Sequence, residues 1–351
     1  MKHISWKKTG QFRNVIHDVL HEYQFVGLDE SGSAIYDASL PKPIITFTGT
    51  NKIHGTHYDF CYNDIDGYWF QSRENIITPL KDNAGSAFFG ESRKDILMGL
   101  INEIKTEYAV DTSTHSIMIA SEFAGASIQK GVAIAGLPKS MYIFGVKIQS
   151  ISDEDHYYVS CRDLRSPENL IFNIYDFKTY TVDVDFNYPE LAQNRIVEIT
   201  LEIENECPVA KQFLGDTENY ADLCKIGEGV VLTSLYNGKF YSFKSKGLLH
   251  SQKSKVKTLK QVDGDKIYLL KQVAEQVTPE WRLEQMVEKA CDLMNGGCLD
   301  RKKMGDYIRY VMADIVDEDM DILVENQVEL KDINRYISEI AKQYFFSLEK
   351  I

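Results

Sequence analysis

One lysine in a glycine-containing loop is the residue of this sequence best placed to act as a nucleophile. Lys52 stands in the segment Thr48–His57 (TGTNKIHGTH), directly after the apolar, strand-like run Ile44–Phe47. Gly55 follows three residues later, at a position where the backbone can approach a ligand closely. A lysine amine attacks an electrophile only where burial or neighbouring cations favour its neutral form. The segment predicts such an amine at the end of a strand, although a surface-loop lysine is the simpler interpretation of these residues taken alone.

Four further stretches with charged or aromatic residues follow the lysine in order. They are Ser121–Gly125 (SEFAG), Tyr142–Lys147 (YIFGVK), Gly227–Leu232 (GEGVVL) and Phe243–Gly247 (FKSKG), and Arg73 lies before the first of them. Glu122 ends a buried strand-like run, where a carboxylate is costly unless something binds it. Lys244 and Lys246 are two residues apart, so on a strand they project from the same face. Two like charges side by side predict an anion between or above them.

In this order the five stretches resemble the motif series of covalent nucleotidyltransferases. They are most similar to ATP-dependent RNA ligases of the phage T4 RNA ligase 2 type, over roughly Ile44 to Lys260. The resemblance implies an α+β fold, with a nucleotidyltransferase (ATP-grasp-like ligase) domain of antiparallel sheets with flanking helices, plus an all-helical C-terminal domain. We expect residues 1–43 to be an N-terminal extension packed on the main domain, 44–260 to be the adenylyltransferase domain and 261–351 to be helical.

The resemblance implies an RNA ligase that joins 3′-hydroxyl and 5′-phosphate RNA ends, using ATP with Mg²⁺ or Mn²⁺. Lys52 would attack the α-phosphorus of ATP to form lysyl-AMP, and the AMP would then pass to the RNA 5′-phosphate. The catalytic residues would be Lys52, Lys244 and Glu228, with Glu228 also the metal ligand. The nucleotide site would comprise Asn51, Lys52, Ile53, Arg73, Glu122, Phe144, Glu228, Lys244 and Lys246. The RNA site would comprise His54, His57, Arg73, Lys253, Lys255 and Lys257.

Individual roles follow from position in the matching motifs. Glu122 would accept a hydrogen bond from a ribose hydroxyl and Phe144 would stack on adenine, while Lys244 and Lys246 would neutralise the α-phosphate. Three positions depart from the family pattern. His57 stands where relatives usually carry asparagine, Gly145 where an acidic residue commonly follows the stacking phenylalanine, and Asn51 where an acidic residue precedes the lysine.

The distribution of charge along the chain indicates more about possible binding partners than the net charge does. The chain has 351 residues and a formal net charge of −13, which by itself disfavours a nucleic-acid partner. Between Lys239 and Lys271, however, nine lysines face only Asp263 and Asp265, a local charge of +7. This basic segment predicts a charged groove. The acidic run from Asp314 to Asp321 is most simply interpreted as a solvated connection.

Other features define the broad class of protein. The six cysteines form no Cys-x-x-Cys pair, so neither a zinc site nor a disulfide framework is indicated. No apolar run approaches membrane-spanning length and no signal peptide is indicated, so we expect no membrane partner and a cytoplasmic protein of a bacterial or phage-infected cell. No obligate protein partner is evident.

Local patterns predict the elements that position these residues. A hairpin is expected around Asn63–Gly67, a packing helix over 92–108 and a second hairpin turning at Tyr236–Lys239. Residues 191–214 fit a strand over part of their length and a helix over a longer span, and we favour a helix interrupted near Pro208. Three apolar stripes after Lys260 predict helices, the first capped by Thr278.

Two alternative functions remain at this point. DNA ligases and mRNA capping enzymes use the same covalent lysine but continue into a strand-rich OB-fold, which the helical C-terminal region disfavours. The other alternative is a non-catalytic member of the family that only binds RNA.

Overall fold

The computed structural model describes residues 1–28, 32, 34–82, 84–152, 155–214, 225–250, 263–293 and 297–348. The chain divides into two compact units. The sheet unit comprises Met1–Val15, Ile45–Val184 and Ala192–Lys260, and the helical unit comprises Ile16–Ile44, Asp185–Leu191 and Gln261–Ile351. The division differs from the expected boundary at residue 43, because residues 16–44 group with the helices. Within the helical unit, Lys42 pairs with Glu339 at 3.5 Å and the Phe186 amide donates to the Pro43 carbonyl.

The strands and helices are numbered in chain order. The strands are β1 (Phe25–Leu28), β2 (Ala34–Tyr36), β3 (Ile44–Asn51), β4 (Thr56–Asn63), β5 (Gly67–Gln71), β6 (Ile76–Ile77), β7 (His115–Ala124), β8 (Ser140–Ser150), β9 (His156–Val159), β10 (Ile171–Asn173), β11 (Tyr180–Asp185), β12 (Gly229–Tyr236) and β13 (Lys239–Lys246). The helices are α1 (Phe12–Gln24), α2 (Ser86–Glu91), α3 (Lys94–Glu107), α4 (Gln193–Asn205), α5 (Pro208–Leu214), α6 (Gly264–Gln276), α7 (Glu280–Cys291), α8 (Met304–Glu318), α9 (Met320–Glu325) and α10 (Leu330–Leu348).

Two sheets form the sheet unit. The larger has seven strands in the order β10-β8-β7-β4-β5-β6, with β9 paired to β8, and the smaller has the order β11-β3-β12-β13. Neighbouring strands such as β4 and β7, β7 and β8, and β12 and β13 are antiparallel, whereas β8 and β10 are parallel. The central strand β7 is buried along almost its whole length. The predicted α+β class with antiparallel sheets and a helical C-terminal region is confirmed.

Most of the predicted local elements form where the patterns indicated. β4 and β5 pair across the turn before Gly67, whose φ of 72° suits a glycine, and β12 and β13 pair across Asn237 and Gly238, which both have positive φ. The helix interruption near Pro208 is confirmed, because α4 ends at Asn205 and α5 begins at the proline. The periodicity over 92–108 forms α3, which buries four apolar side chains in the core of the larger sheet: Leu97, Leu100, Ile101 and Ile104.

The helical unit has its own core, formed by side chains from α6, α7, α8 and α10. The apolar stripe of α8 buries Tyr307, Val311 and Ile315.

The predicted cap by Thr278 is wrong: Pro279 occupies the cap position of α7, and the Thr278 hydroxyl donates to the Ala274 carbonyl at 2.6 Å. None of the described helices has the length and apolar content of a membrane span.

A buried arginine corrects the interpretation of the acidic run. Arg282 on α7 has a side chain only 1% exposed, and its guanidinium pairs with Asp314 at 2.6 Å, with Glu318 at 3.3 Å and with Asp319. The same group donates to the Val277 carbonyl. The carboxylates near the end of α8 therefore hold α7 in place instead of serving as a solvated connection.

We expect Arg282→Met to lower the free energy of unfolding by about 1.5–3 kcal/mol, because Asp314 and Asp319 would lose charge-assisted hydrogen bonds but are partly exposed and can be hydrated. Urea unfolding followed by far-UV circular dichroism measures the change. Arg309→Met is the control, since Arg309 is 69% exposed and pairs with Asp306 at the surface; its loss should be no more than about 1 kcal/mol. Equal effects of the two substitutions would contradict a structural role for Arg282.

Candidate functional site

A cavity of about 370 Å³ in the sheet unit gathers most of the predicted site residues. Its volume falls in the range of small-ligand pockets. Eight of the predicted residues line it: Asn51, Lys52, Ile53, His57, Arg73, Glu122, Phe144 and Lys244. Sequence reasoning missed other lining residues, including Trp6, Lys8, Tyr175 and Ser242, whose types and neighbours carry no motif.

Lys52 is positioned by the pairing of β3 with β12. β3 ends at Asn51, and the Lys52 amide then donates to the Gly229 carbonyl at 2.8 Å, which extends the pairing by one residue. The side chain is 19% exposed and its Nζ lies 2.7 Å from Oε2 of Glu228. The lysine thus stands at the end of a strand, as predicted, with its amine held by a carboxylate.

Glu228 is the anion at the centre of the site. Its side chain is 1% exposed, and besides Lys52 it contacts His54 Nδ1 at 2.9 Å and Lys246 Nζ at 2.6 Å. Burial alone would raise the pKa of this carboxyl, but the hydrogen bond with His54, the charge of Lys52 and the hydrogen bonds from Lys246 and Lys52 outweigh burial. The pKa of Glu228 consequently lies well below its ordinary value, and the group is a carboxylate at neutral pH.

The two lysines of β13 have different environments. Lys246 pairs with Glu228, whereas Lys244 lines the cavity and forms no ion pair with the residues described. Burial lowers the pKa of Lys244, and the charges of Lys52 and Lys246 lower it further. A cation in such surroundings gains stability when an anion binds next to it.

Phe144 lies at a β-bulge and lines the cavity. In the pairing of β7 with β8, Ala120 is opposite Gly145 and Ser121 is opposite Ile143, so Phe144 has no partner in the register. A bulge re-aims a side chain relative to regular alternation. The Phe144 ring lies 5.7 Å from the His57 ring, between the centroids, and forms one wall of the cavity.

Glu122 connects β7 to the lysine loop, by which we mean the residues between β3 and β4 that include Lys52. Its Oε1 accepts a hydrogen bond from the Gly55 amide at 3.2 Å. Burial raises the pKa of Glu122, and the nearby cations Lys52 and His57 oppose the shift. A Cβ on Gly55 would lie 2.4 Å from the Phe123 carbonyl oxygen, so the glycine in this structure permits close packing of the loop against β7.

Three residues that line the cavity each have a buried polar atom without a hydrogen-bond partner among the described residues. The atoms are Oδ1 of Asn51, the hydroxyl oxygen of Tyr142 and Oγ of Ser242. The Asn51 amide nitrogen is 3.6 Å from Sγ of Cys207. Unpaired buried polar atoms are rare in folded proteins. These atoms could form hydrogen bonds with the polar edge of a ligand in the cavity.

The carboxylates near Lys52 could bind a metal ion only together with further ligands, such as the phosphates of a substrate. Within the described part of the chain there is no group of three or more His, Cys, Asp or Glu side chains that could hold a metal ion. Mg²⁺ is often bound by one or two carboxylates together with substrate phosphates. Glu228 and Glu122 could supply those carboxylates, so the site fits a metal that enters with phosphate groups and does not fit a resident metal.

The remaining predicted residues are distributed as follows. Arg73 lines the cavity, with a side chain 45% exposed and Nε 4.0 Å from Glu74. His54 contacts Glu228 and lies beside His250. Lys253, Lys255 and Lys257 lie outside the described residues, and their role in RNA binding stays a prediction.

Comparison with protein-family models and with curated proteins finds no match. Among solved structures, an RNA ligase of Naegleria gruberi with pyrophosphate is similar at 15% identity, 71% coverage of this chain, 58% of that chain and a TM-score of 0.42. A mutant of the same ligase with AMP and Mn has 15% identity, covers 72% and 59% of the two chains, and has a TM-score of 0.43. The aligned part therefore spans less than two thirds of the Naegleria chain. TM-scores this low do not establish a shared family.

His57 gives a pH-dependent prediction. Its Nε2 lies 2.9 Å from Oδ1 of the fully buried Asp59. Burial opposes the imidazolium, but the charge and hydrogen bond of Asp59, with the charge of Glu122, raise the pKa of His57 above 6.5. The ion pair should therefore contribute its full stabilisation of the fold below pH 6.5. This contribution should disappear as the pH rises through the folded-state pKa of His57.

We expect NMR titration to show His57 titrating above its ordinary value, and Asp59→Asn to lower the His57 pKa. In urea unfolding, His57→Gln should reduce stability more at acidic than at alkaline pH. A loss that grows with rising pH would contradict the ion pair.

Proposed function

We propose that this protein is an ATP-dependent RNA ligase that works through a lysyl-AMP intermediate. The single observation that carries the proposal is the position of Lys52. Lys52 lines a ligand-sized cavity and its amine is 2.7 Å from a buried carboxylate, with Lys244 and Arg73 lining the same cavity. A nucleotide placed there would have its base among aromatic rings and its phosphates among cations.

The first step is attack of Lys52 Nζ on the α-phosphorus of ATP. Attack requires the neutral amine, so the ion pair with Glu228 must break and the amine must release a proton to water. A P–N bond forms, the bond from the α-phosphorus to the bridging oxygen breaks, and pyrophosphate leaves. Lys244 faces the cavity without an ion pair among the described residues, so it is placed to offset the charge that develops on the phosphate oxygens.

The site also offers groups for the base and the sugar. Phe144 and Tyr175 supply apolar ring surfaces, while the Asn51 amide and the Ser242 hydroxyl offer hydrogen bonds to a base edge. Glu122 can accept from a ribose hydroxyl. Glu228 and Glu122 could hold a divalent metal that enters with the phosphates, and such a metal would supply further charge neutralisation.

The later steps transfer AMP to an RNA end and seal the break. An oxygen of the RNA 5′-phosphate attacks the α-phosphorus, the P–N bond breaks and Lys52 regains a proton. The RNA 3′-hydroxyl then attacks the activated 5′-phosphate, and AMP leaves. The support for RNA as the acceptor is the order of the sequence motifs and the basic segment from Lys239 to Lys271.

We expect Lys52→Ala to abolish covalent labelling by ATP radiolabelled on the α-phosphate, measured on a denaturing gel. Lys244→Met and Glu228→Gln should each reduce labelling by a factor of about one hundred or more, in the range found for loss of a group that stabilises transition-state charge. Lys81→Met is the control, because it removes an exposed lysine that does not line the cavity. Retained labelling in Lys52→Ala would refute this lysine as the nucleophile.

A panel of defined ends should identify the reaction. We expect ATP and not GTP to label the protein, and we expect it to seal RNA breaks carrying a 5′-phosphate and a 3′-hydroxyl. Preferential labelling by GTP would indicate a capping enzyme, and sealing confined to DNA would indicate a DNA ligase. RNA binding without any labelling would indicate a non-catalytic protein.

A further inference from the structure

The first residues of the chain are anchored to the larger sheet of the sheet unit. The Ile4 amide donates to Oε1 of Gln71 at 3.0 Å, and Nε2 of Gln71 donates back to the Ile4 carbonyl at 2.6 Å. Both of these groups are buried. Next along the chain, the Ser5 carbonyl accepts from Nζ of Lys147 on β8 at 2.9 Å. The segment thus has a defined path before it reaches the cavity.

The following residues run beside β13, the strand that carries Lys244. Lys7 Nζ donates to the Phe240 carbonyl at 3.0 Å, Gly10 forms a parallel bridge with Phe243, and the Lys244 amide donates to the Gly10 carbonyl at 3.1 Å. In an extended chain, residues two apart face the same side. Trp6 and Lys8, two residues apart, both line the cavity, and so does Thr9, whereas Lys7 does not.

Trp6 packs against the aromatic wall of the cavity. Its ring meets Phe144 edge-on with centroids 5.4 Å apart, and it meets Phe240 in the same way at 5.4 Å. Edge-to-face contacts at such distances are favourable beyond the area they bury. Trp6 and Phe144 also border a second cavity of about 310 Å³, so together they separate the two spaces.

Gly145 provides independent evidence that the Trp6 ring belongs in this place. An ideal Cβ on Gly145 would lie 2.2 Å from Cη2 of Trp6 and 2.6 Å from Cζ2. Any side chain at position 145 would therefore collide with a rigid ring. This contact explains why a glycine follows Phe144, where the resembled family commonly carries an acidic residue.

Lys8 lies closer to solvent than the other lysines of the cavity. It is exposed, whereas Lys52 is mostly buried and Lys244 is half-buried. Lys8 forms no ion pair within the described part of the chain, and it shares the cavity with Lys52 and Lys244. Because the α-phosphate must lie at Lys52, a lysine at the opening is suited to the phosphates beyond it.

We propose that residues Trp6–Gly10 form part of the nucleotide site, with Trp6 positioning Phe144 against the base and Lys8 binding the β- and γ-phosphates. The inference rests on the proposed function for the identity of the nucleotide. It adds a base-positioning residue and a phosphate-binding residue that lie far before the lysine loop in the sequence.

Isothermal titration with α,β-methylene-ATP, which cannot transfer AMP, tests the role of Lys8. We expect Lys8→Met to weaken binding of this triphosphate analogue about tenfold or more, since a charge-assisted hydrogen bond is lost. Binding of AMP should change by less than about twofold, because AMP lacks the outer phosphates. Lys8→Arg should retain most of the affinity, and Lys81→Met is the matched charge control. Equal weakening for AMP and the analogue would overturn the assignment of Lys8.

A double-mutant cycle tests the role of Trp6. Gly145→Ala should weaken binding of the analogue by displacing the Trp6 ring, and in a Trp6→Ala background the same substitution should have no further effect. Trp6→Phe, which keeps a smaller ring, provides a second variant should Trp6→Ala fold poorly as judged by circular dichroism. In the Trp6→Phe background the effect of Gly145→Ala should be smaller than in the wild type. Additive effects of the two substitutions would overturn the proposal for Trp6.

The outcomes separate this inference from the proposed function. If the wild-type protein binds the analogue with the expected mutant pattern but never becomes labelled by ATP, the ligase proposal fails and the inference stands. If labelling is normal while Lys8→Met and Trp6→Ala bind as the wild type does, the inference fails and the ligase proposal stands. If no adenine nucleotide binds, both fail.

Discussion

The candidate site depends on the compensation of one buried negative charge. Glu228 is 1% exposed, and a carboxylate in such a place is destabilising by several kcal/mol unless cations and hydrogen-bond donors surround it. Lys52, His54 and Lys246 provide that compensation; the first two lie in the loop after β3, and the third ends β13. Because the Glu228 carboxylate needs these cations, the lysine loop is held against the smaller sheet.

Strand register brings these charges together. Asn51 is opposite Val230 and Gly229 is opposite Lys246, so the end of β3, the start of β12 and the end of β13 meet at one edge of the sheet. A shift of one residue in the pairing of β12 with β13 would turn Lys246 to the other face and leave the Glu228 carboxylate undercompensated. Backbone pairing and electrostatics therefore select the same arrangement.

The cavity is positive although the chain is acidic. Among the described residues, Lys8, Lys52, Arg73 and Lys244 line it together with one carboxylate, that of Glu122, whereas the chain as a whole carries −13. Part of the acidic excess lies in the helical unit, where Asp314 and Asp319 are held by Arg282. The net charge of the sequence is consequently a poor guide to the charge of its partner, because a ligand senses mainly the charges within about a Debye length.

Much of the architecture was determined by the sequence itself. The turn glycines, the alternation in the strands, the proline between α4 and α5 and the apolar stripes of the C-terminal helices are local signals, and they predicted the elements and the α+β class. The order of the motifs predicted that Lys52, Glu228, Lys244 and Lys246 lie together, and the structure places them so. Only the tertiary structure decided the contacts of Trp6, the bulge at Phe144, the unpaired atoms of Asn51, Tyr142 and Ser242, and the ion pairs of Arg282. These features depend on contacts between residues far apart in the chain. No local pattern of residue types encodes which distant side chain fills the space beside a glycine, or which distant cation pairs with a buried carboxylate.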